Sequence, residues 1–130
     1  MLQRCDIALC VYWHFNCMNG VHWTSTAWQY RLALEVASAQ EHERMSLLAE
    51  EFPCLEGKPG VRPWQADQLD GWAAENATAA EQAAARFVLR VWNSRIPWRS
   101  GRFDLLEALG HWDEANRAAY ARWAADPWWL

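Results

Sequence analysis

The sequence predicts an all-α fold, a compact bundle of four to six helices in which the N-terminal segment adds either a further helix or one short strand. Hydrophobic residues make up 52% and charged residues 22% of the 130 positions, which is typical of a folded globular protein and argues against disorder. Helical periodicity is clearest over residues 79–92, and helix-capping side chains recur through the second half of the chain. No second strong strand is available to pair with the apolar run near the N-terminus.

This N-terminal run, Ile7–Phe15, is rich in aromatic and β-branched residues, and the lack of a strand partner favours a buried helix. The run is too short to cross a membrane, and no cleavage site of small residues follows it. We therefore expect a soluble protein that is not exported, does not bind membranes and acts in the cytoplasm.

A long helical segment is expected between Thr24–Thr26, whose hydroxyls are candidate N-caps, and Pro53, which cannot continue a helix. A weak point near Ser38 leaves open whether this segment is one helix or two stacked end to end. Residues 53–63 contain three prolines and two glycines and are predicted to form a loop. We expect this loop to join two helical halves of a single domain spanning residues 1–130.

The best-defined helix should begin after Thr78, because Thr78 and Glu81 have the spacing of a capping box. Its apolar stripe comprises Ala80, Ala84, Phe87, Val88 and Val91. Shorter helices are predicted at residues 67–75, at 105–109 and from Asp113 to Asp126. Asp104 and Asp113 are the expected N-caps of the last two, and Gly110 is the expected end of the helix that Asp104 caps.

Eleven tryptophans are more than a 15 kDa interior is expected to hide, so several indoles should be exposed. We expect four in the core, namely Trp28, Trp72, Trp112 and Trp123. Four others fall in loops or in the C-terminal tail, which should dock on the body of the protein: Trp64, Trp98, Trp128 and Trp129. Exposure of these four would mark a partner or oligomer interface, and packing of the loops onto the core is the alternative.

Charge is distributed unevenly, although the net charge of -4 is mild and argues against a generally basic nucleic-acid-binding protein. Residues 35–81 carry ten acids and three basic residues, whereas residues 82–103 carry five arginines and no acid. These arginines either form ion pairs with the acidic segment of the same molecule or bind a partner. Guanidinium groups and the indoles of the same segment are well suited to binding. The predicted binding residues are Arg86, Arg90, Arg95, Trp98, Arg99, Arg102, Trp128 and Trp129.

A cysteine and histidine cluster near the N-terminus is the only candidate for metal or thiol chemistry. Cys10, His14 and Cys17 would share one face of a helix, and Cys5 and His22 extend the set. Their spacing matches no zinc signature, however, and buried thiols are the simpler interpretation. We predict no metal site, no catalytic residue and no cofactor.

The sequence therefore favours a non-catalytic module that binds a protein partner or itself through exposed tryptophans and the arginines of residues 86–102. One alternative is a small nucleic-acid-binding module that uses the same arginines. Another is a thiol- or metal-dependent enzyme at Cys10, His14 and Cys17.

Overall fold

A computed structural model describes residues 23–130, with side chains from Ala27 onward, and every regular element in this range is helical. The five α-helices confirm the all-α prediction, and this part of the chain contains no strand. They are α1 (Trp23–Glu50), α2 (Ala66–Glu75), α3 (Ala79–Trp92), α4 (Leu105–His111) and α5 (Glu114–Ala125), with a 3-10 helix at Pro53–Leu55. The expected helix or strand at Ile7–Phe15 lies outside the described residues.

The chain divides into two units, one up to His42 and one from Glu43 to Leu130, and α1 contributes to both. The single domain over residues 1–130 stays a prediction. None of the helices in residues 23–130 combines the length and apolarity needed to cross a membrane.

Helix α1 is continuous through Ser38, so the alternative of two stacked helices is wrong. Thr24–Thr26 are already helical and do not form the expected N-cap. Trp28, expected in the core, is 61% exposed. The buried positions in this part of the helix are Gln29 and Ala33, which are one turn apart. Trp28 precedes Gln29 and is therefore rotated by about 100° away from the buried side.

The core of the Glu43–Leu130 unit is built around α3, which packs against α2, α4 and the 3-10 helix. Half of the residues of α3 are buried, and Val88 and Leu89 are fully so. Helix α5 contacts the 3-10 helix. Burial of apolar area around one central helix supplies the main driving force for folding of this unit.

The predicted capping side chains start three helices. The Thr78 hydroxyl accepts a hydrogen bond from the Glu81 amide, and the Glu81 carboxylate accepts one from the Thr78 amide, which confirms the capping box. Asp104 and Asp113 cap α4 and α5 as predicted. Gly110 does not end α4, which runs on to His111.

The connection after the 3-10 helix is tightly packed. Gly60 adopts a φ of +82°, and a Cβ atom there would collide with the backbone of Gln65 and Leu69. Val61 is buried, and its carbonyl accepts a hydrogen bond of 2.6 Å from the hydroxyl of buried Ser46. The predicted loop therefore exists, but it forms part of the core.

Asp70 fastens the loop after α3 to α2. Its buried carboxylate accepts hydrogen bonds from the backbone amides of Arg99 and Ser100, at 3.0 and 2.9 Å. A charged acceptor makes these bonds stronger than those between neutral groups. The loop thus returns to the body of the protein before α4 begins.

We predict that Asp70→Ala lowers the free energy of unfolding by about 2–5 kcal/mol, because two amides lose their acceptor in a buried site. Urea unfolding of the full chain measures this change. The control is Glu75→Ala on the same helix, which removes only the exposed ion pair with the Arg99 side chain and should cost less than about 1 kcal/mol. Equal losses in the two variants would show that the amides do not depend on Asp70.

Candidate binding pocket

A pocket of about 310 Å³ lies between α3, α5 and the chain segments beside them. Its lining is mainly aromatic and comprises Phe87, Arg90, Val91, Ser94, Phe103, Tyr120, Trp123 and Trp129. All of these residues belong to the Glu43–Leu130 unit. A mostly apolar concavity with a few polar groups at its edge is the usual form of a ligand site, although this volume is at the small end of the range.

The aromatic wall is held in place by ring-to-ring packing. The buried Phe87 ring lies 4.9 Å from the Trp123 ring and 5.3 Å from the Tyr120 ring, with interplanar angles of 78° and 72°. Phe103 packs 5.3 Å from Phe87 on another side. Tyr120 and Trp123 are three residues apart on α5 and therefore share one face of that helix. Edge-to-face packing of this kind favours a fixed geometry.

Two polar residues, Arg90 and Ser94, line the pocket and are exposed. Arg90 lies one turn after Arg86, near the end of α3. No acidic side chain within the described range forms an ion pair with Arg90. Its guanidinium group is therefore available to pair with an anion.

The C-terminal tail completes the pocket. Trp129 lines it and is 60% exposed. The Leu130 amide donates to the Val91 carbonyl at 3.0 Å, and the Trp123 indole donates to the Trp128 carbonyl at 2.9 Å. The Arg44 guanidinium lies 3.8 Å from the centre of the Trp128 ring. The tail docks on the body as predicted.

The predicted binding residues separate into distinct environments. Arg90 and Trp129 meet at the pocket, and Arg95 and Arg102 are exposed. The other four make internal contacts, and they are Arg86, Trp98, Arg99 and Trp128.

The internal contacts explain this separation. Arg86 donates to the Ser100 carbonyl and lies 3.6 Å from the Glu107 carboxylate. Arg99 pairs with Glu75 at 2.7 Å, which raises the pKa of its guanidinium group. The Trp98 indole donates to a backbone carbonyl five residues earlier. Arg99 therefore pairs with the acidic segment of residues 35–81, as one sequence interpretation held, whereas the partner of Arg86 lies outside that segment.

Trp64 is buried although it lies in a loop, which agrees with the alternative that the loops pack onto the core. Its ring packs 5.7 Å from that of Trp92 on α3, since the tight connection around Gly60 folds over the core. Trp112 is buried as expected, and Trp72 and Trp123 are half-buried against the core.

Sequence reasoning missed Phe103, Tyr120 and Ser94 as members of a site. The spacing of Tyr120 and Trp123 is a usable signal, because it places two large rings on one face of a helix. Phe103 and Ser94 carry no such signal, since only the fold brings their segments together.

Cys10, His14 and Cys17 lie outside the described residues, so the prediction about them stays open. Within residues 23–130, no group of three or more histidine, cysteine or acidic side chains is arranged to hold a metal ion. Cys54 is an unpaired, half-buried thiol. Burial, reinforced by the negative charge of Glu81, raises its pKa to about 11.

Comparison of the chain with protein-family models, with curated protein sequences and with solved structures gives no match.

We predict that Cys54 in the folded protein reacts with iodoacetamide at pH 8 roughly 100-fold more slowly than in urea-unfolded protein, because its pKa is raised from 9.0 to about 11 and the thiolate is the reactive form. Mass-spectrometric quantification of the peptide containing Cys54 distinguishes it from the other cysteines. Similar rates in the two states would contradict a thiol protected by burial.

Proposed function

We propose that the protein is a non-catalytic interaction module that binds a protein partner through the pocket between α3 and α5. The observation that carries this proposal is the convergence of Arg90 and Trp129 on one aromatic-lined concavity. Both were selected from the sequence as binding residues, from segments almost forty positions apart.

Trp129 supports binding because it is a large exposed ring beside other large rings. Tryptophan and arginine are enriched at the energetic centres of protein interfaces, where they fill or border desolvated pockets. A ring has few rotatable bonds, so its ordering on binding costs little conformational entropy. An exposed Trp129 at the pocket edge fits this role better than a role in the core.

The nucleic-acid alternative draws support from the exposed arginines, which suit phosphate groups. The ring geometry favours it less. Phe87, Tyr120 and Trp123 pack their edges and faces against one another, whereas single-stranded nucleic acid is bound by exposed ring faces on which bases stack. Self-association through the same pocket is the remaining variant of the protein-binding proposal.

A cytoplasmic location is part of the proposal. Cys54 is a free thiol, and reducing compartments preserve thiols of this kind.

The test is selection from a random library of displayed twelve-residue peptides on the immobilised full chain. We expect the wild-type protein to enrich peptides with a shared motif, and Trp129→Ala to lose them by at least about tenfold, as for the loss of one interface hot spot. Trp28→Ala is the matched control, because Trp28 is equally exposed, at 61% against 60%, but does not line the pocket.

Ser94→Trp provides a second arm that leaves the core untouched, since Ser94 is exposed at the pocket and a large ring there should obstruct entry. Gln68→Trp, at an exposed position of α2, is its control. Enrichment that is equal on all four variants, or absent on the wild-type protein, would contradict binding at the pocket.

A further inference from the structure

Three arginines of the basic segment have no acidic partner among residues 27–130, and each of them lines the pocket or directly adjoins a lining residue in sequence. Arg90 lines it, Arg95 directly follows the lining residue Ser94, and Arg102 directly precedes the lining residue Phe103. Arg86 and Arg99, the other two arginines of the segment, are ion-paired to Glu107 and Glu75. Among residues 82–103, the guanidinium groups without an internal carboxylate therefore belong to one residue that lines the concavity and to two that adjoin its lining residues in sequence.

An exposed guanidinium group without an internal carboxylate is free to form an ion pair with another molecule. Other exposed arginines of the same unit do contact the protein. Arg62 bridges Glu43 and Glu50, and Arg122 approaches Glu51. Arg44 lies over the Trp128 ring, and Arg117 donates to the Leu109 carbonyl. The chain carries more acids than bases, so unpaired arginines do not follow from a shortage of carboxylates. Their position suits carboxylates supplied by another molecule.

The pocket itself suits a single large apolar group. Its volume of about 310 Å³ is near the lower limit for ligand sites, and its apolar lining consists of rings and the Val91 side chain. An apolar side chain that enters it would lose part of its hydration, which is favourable by about 25 cal/mol for each Å² removed from water.

We infer that the pocket binds an acidic peptide segment, with one large apolar side chain in the pocket and flanking carboxylates paired with Arg90, Arg95 and Arg102. The inference rests on the proposed function and adds the chemistry of the partner. A second copy of the chain is less suitable as the occupant in a symmetric pair, because its own unpaired arginines would face the same surface.

The experiment measures binding of three pools of nine-residue peptides to the full chain by tryptophan fluorescence. Every peptide has a central leucine or phenylalanine, and its flanking positions are drawn from acidic, neutral amide or basic residues, with glycine and serine. We expect the acidic pool to bind about tenfold more tightly than the neutral pool at low ionic strength, and the basic pool to bind most weakly. The advantage of the acidic pool should shrink as salt is added.

The decisive variant is Arg90→Gln/Arg95→Gln/Arg102→Gln, which should remove the advantage of the acidic pool over the neutral pool. Its matched control, Arg31→Gln/Arg99→Gln/Arg117→Gln, changes the net charge equally at exposed positions that do not line the pocket. This control should retain the advantage to within about threefold. Circular dichroism verifies that both triple variants are folded.

The failures of the two proposals are distinguishable. If the three pools bind equally and Ser94→Trp abolishes all binding, the pocket is a binding site but the inference of an acidic partner is overturned. If no pool binds in a way that depends on Ser94, both proposals are overturned. An oligothymidine strand that binds more tightly than the acidic pool, and whose binding is lost in the Arg90→Gln/Arg95→Gln/Arg102→Gln variant, would identify nucleic acid as the partner instead. Dimerisation of the wild-type chain that is lost in the same variant would identify a second copy as the partner.

Discussion

The Phe87 ring is the constraint on which the Glu43–Leu130 unit depends. Three other segments place four rings within about 6 Å of it: Phe52 after α1, Phe103 before α4, and Tyr120 and Trp123 on α5. Each of these pairs adds roughly 0.5–1.5 kcal/mol beyond the apolar area that it buries. One side chain of α3 therefore connects elements that are far apart in sequence. The pocket follows from this arrangement, because Phe87 and three of the rings packed against it line the pocket.

Most of the tryptophans with described side chains are buried or half-buried. The indole N–H groups of Trp98, Trp112 and Trp123 donate to backbone carbonyls, and such bonds allow a polar indole to be buried at little cost. Among the indoles with described surroundings, only those of Trp28 and Trp129 are exposed. The expectation that several indoles are exposed thus holds for two of those described, and Trp129 is the one that lines the pocket.

The elements that the sequence predicts best are those encoded by neighbouring residues. The capping box at Thr78 and the caps Asp104 and Asp113 act over three positions, so the starts of α3, α4 and α5 could be predicted. The burial of Trp64 depends on Trp92, and the pairing of Arg86 and Arg99 depends on acids outside the basic segment. The pocket itself combines four separate segments, so the sequence could identify Arg90 and Trp129 but not the rings between them.

The central claim, that ring-on-ring packing at Phe87 holds α3 against α5, is tested most directly by a double-mutant cycle. Urea unfolding of the wild-type chain, of Phe87→Leu, of Trp123→Leu and of the double variant gives the interaction free energy between the two rings. The account predicts a favourable coupling of about 0.5–1.5 kcal/mol. A coupling of zero, with the two single losses simply adding, would show that the rings do not stabilise each other and would leave the pocket without its structural basis.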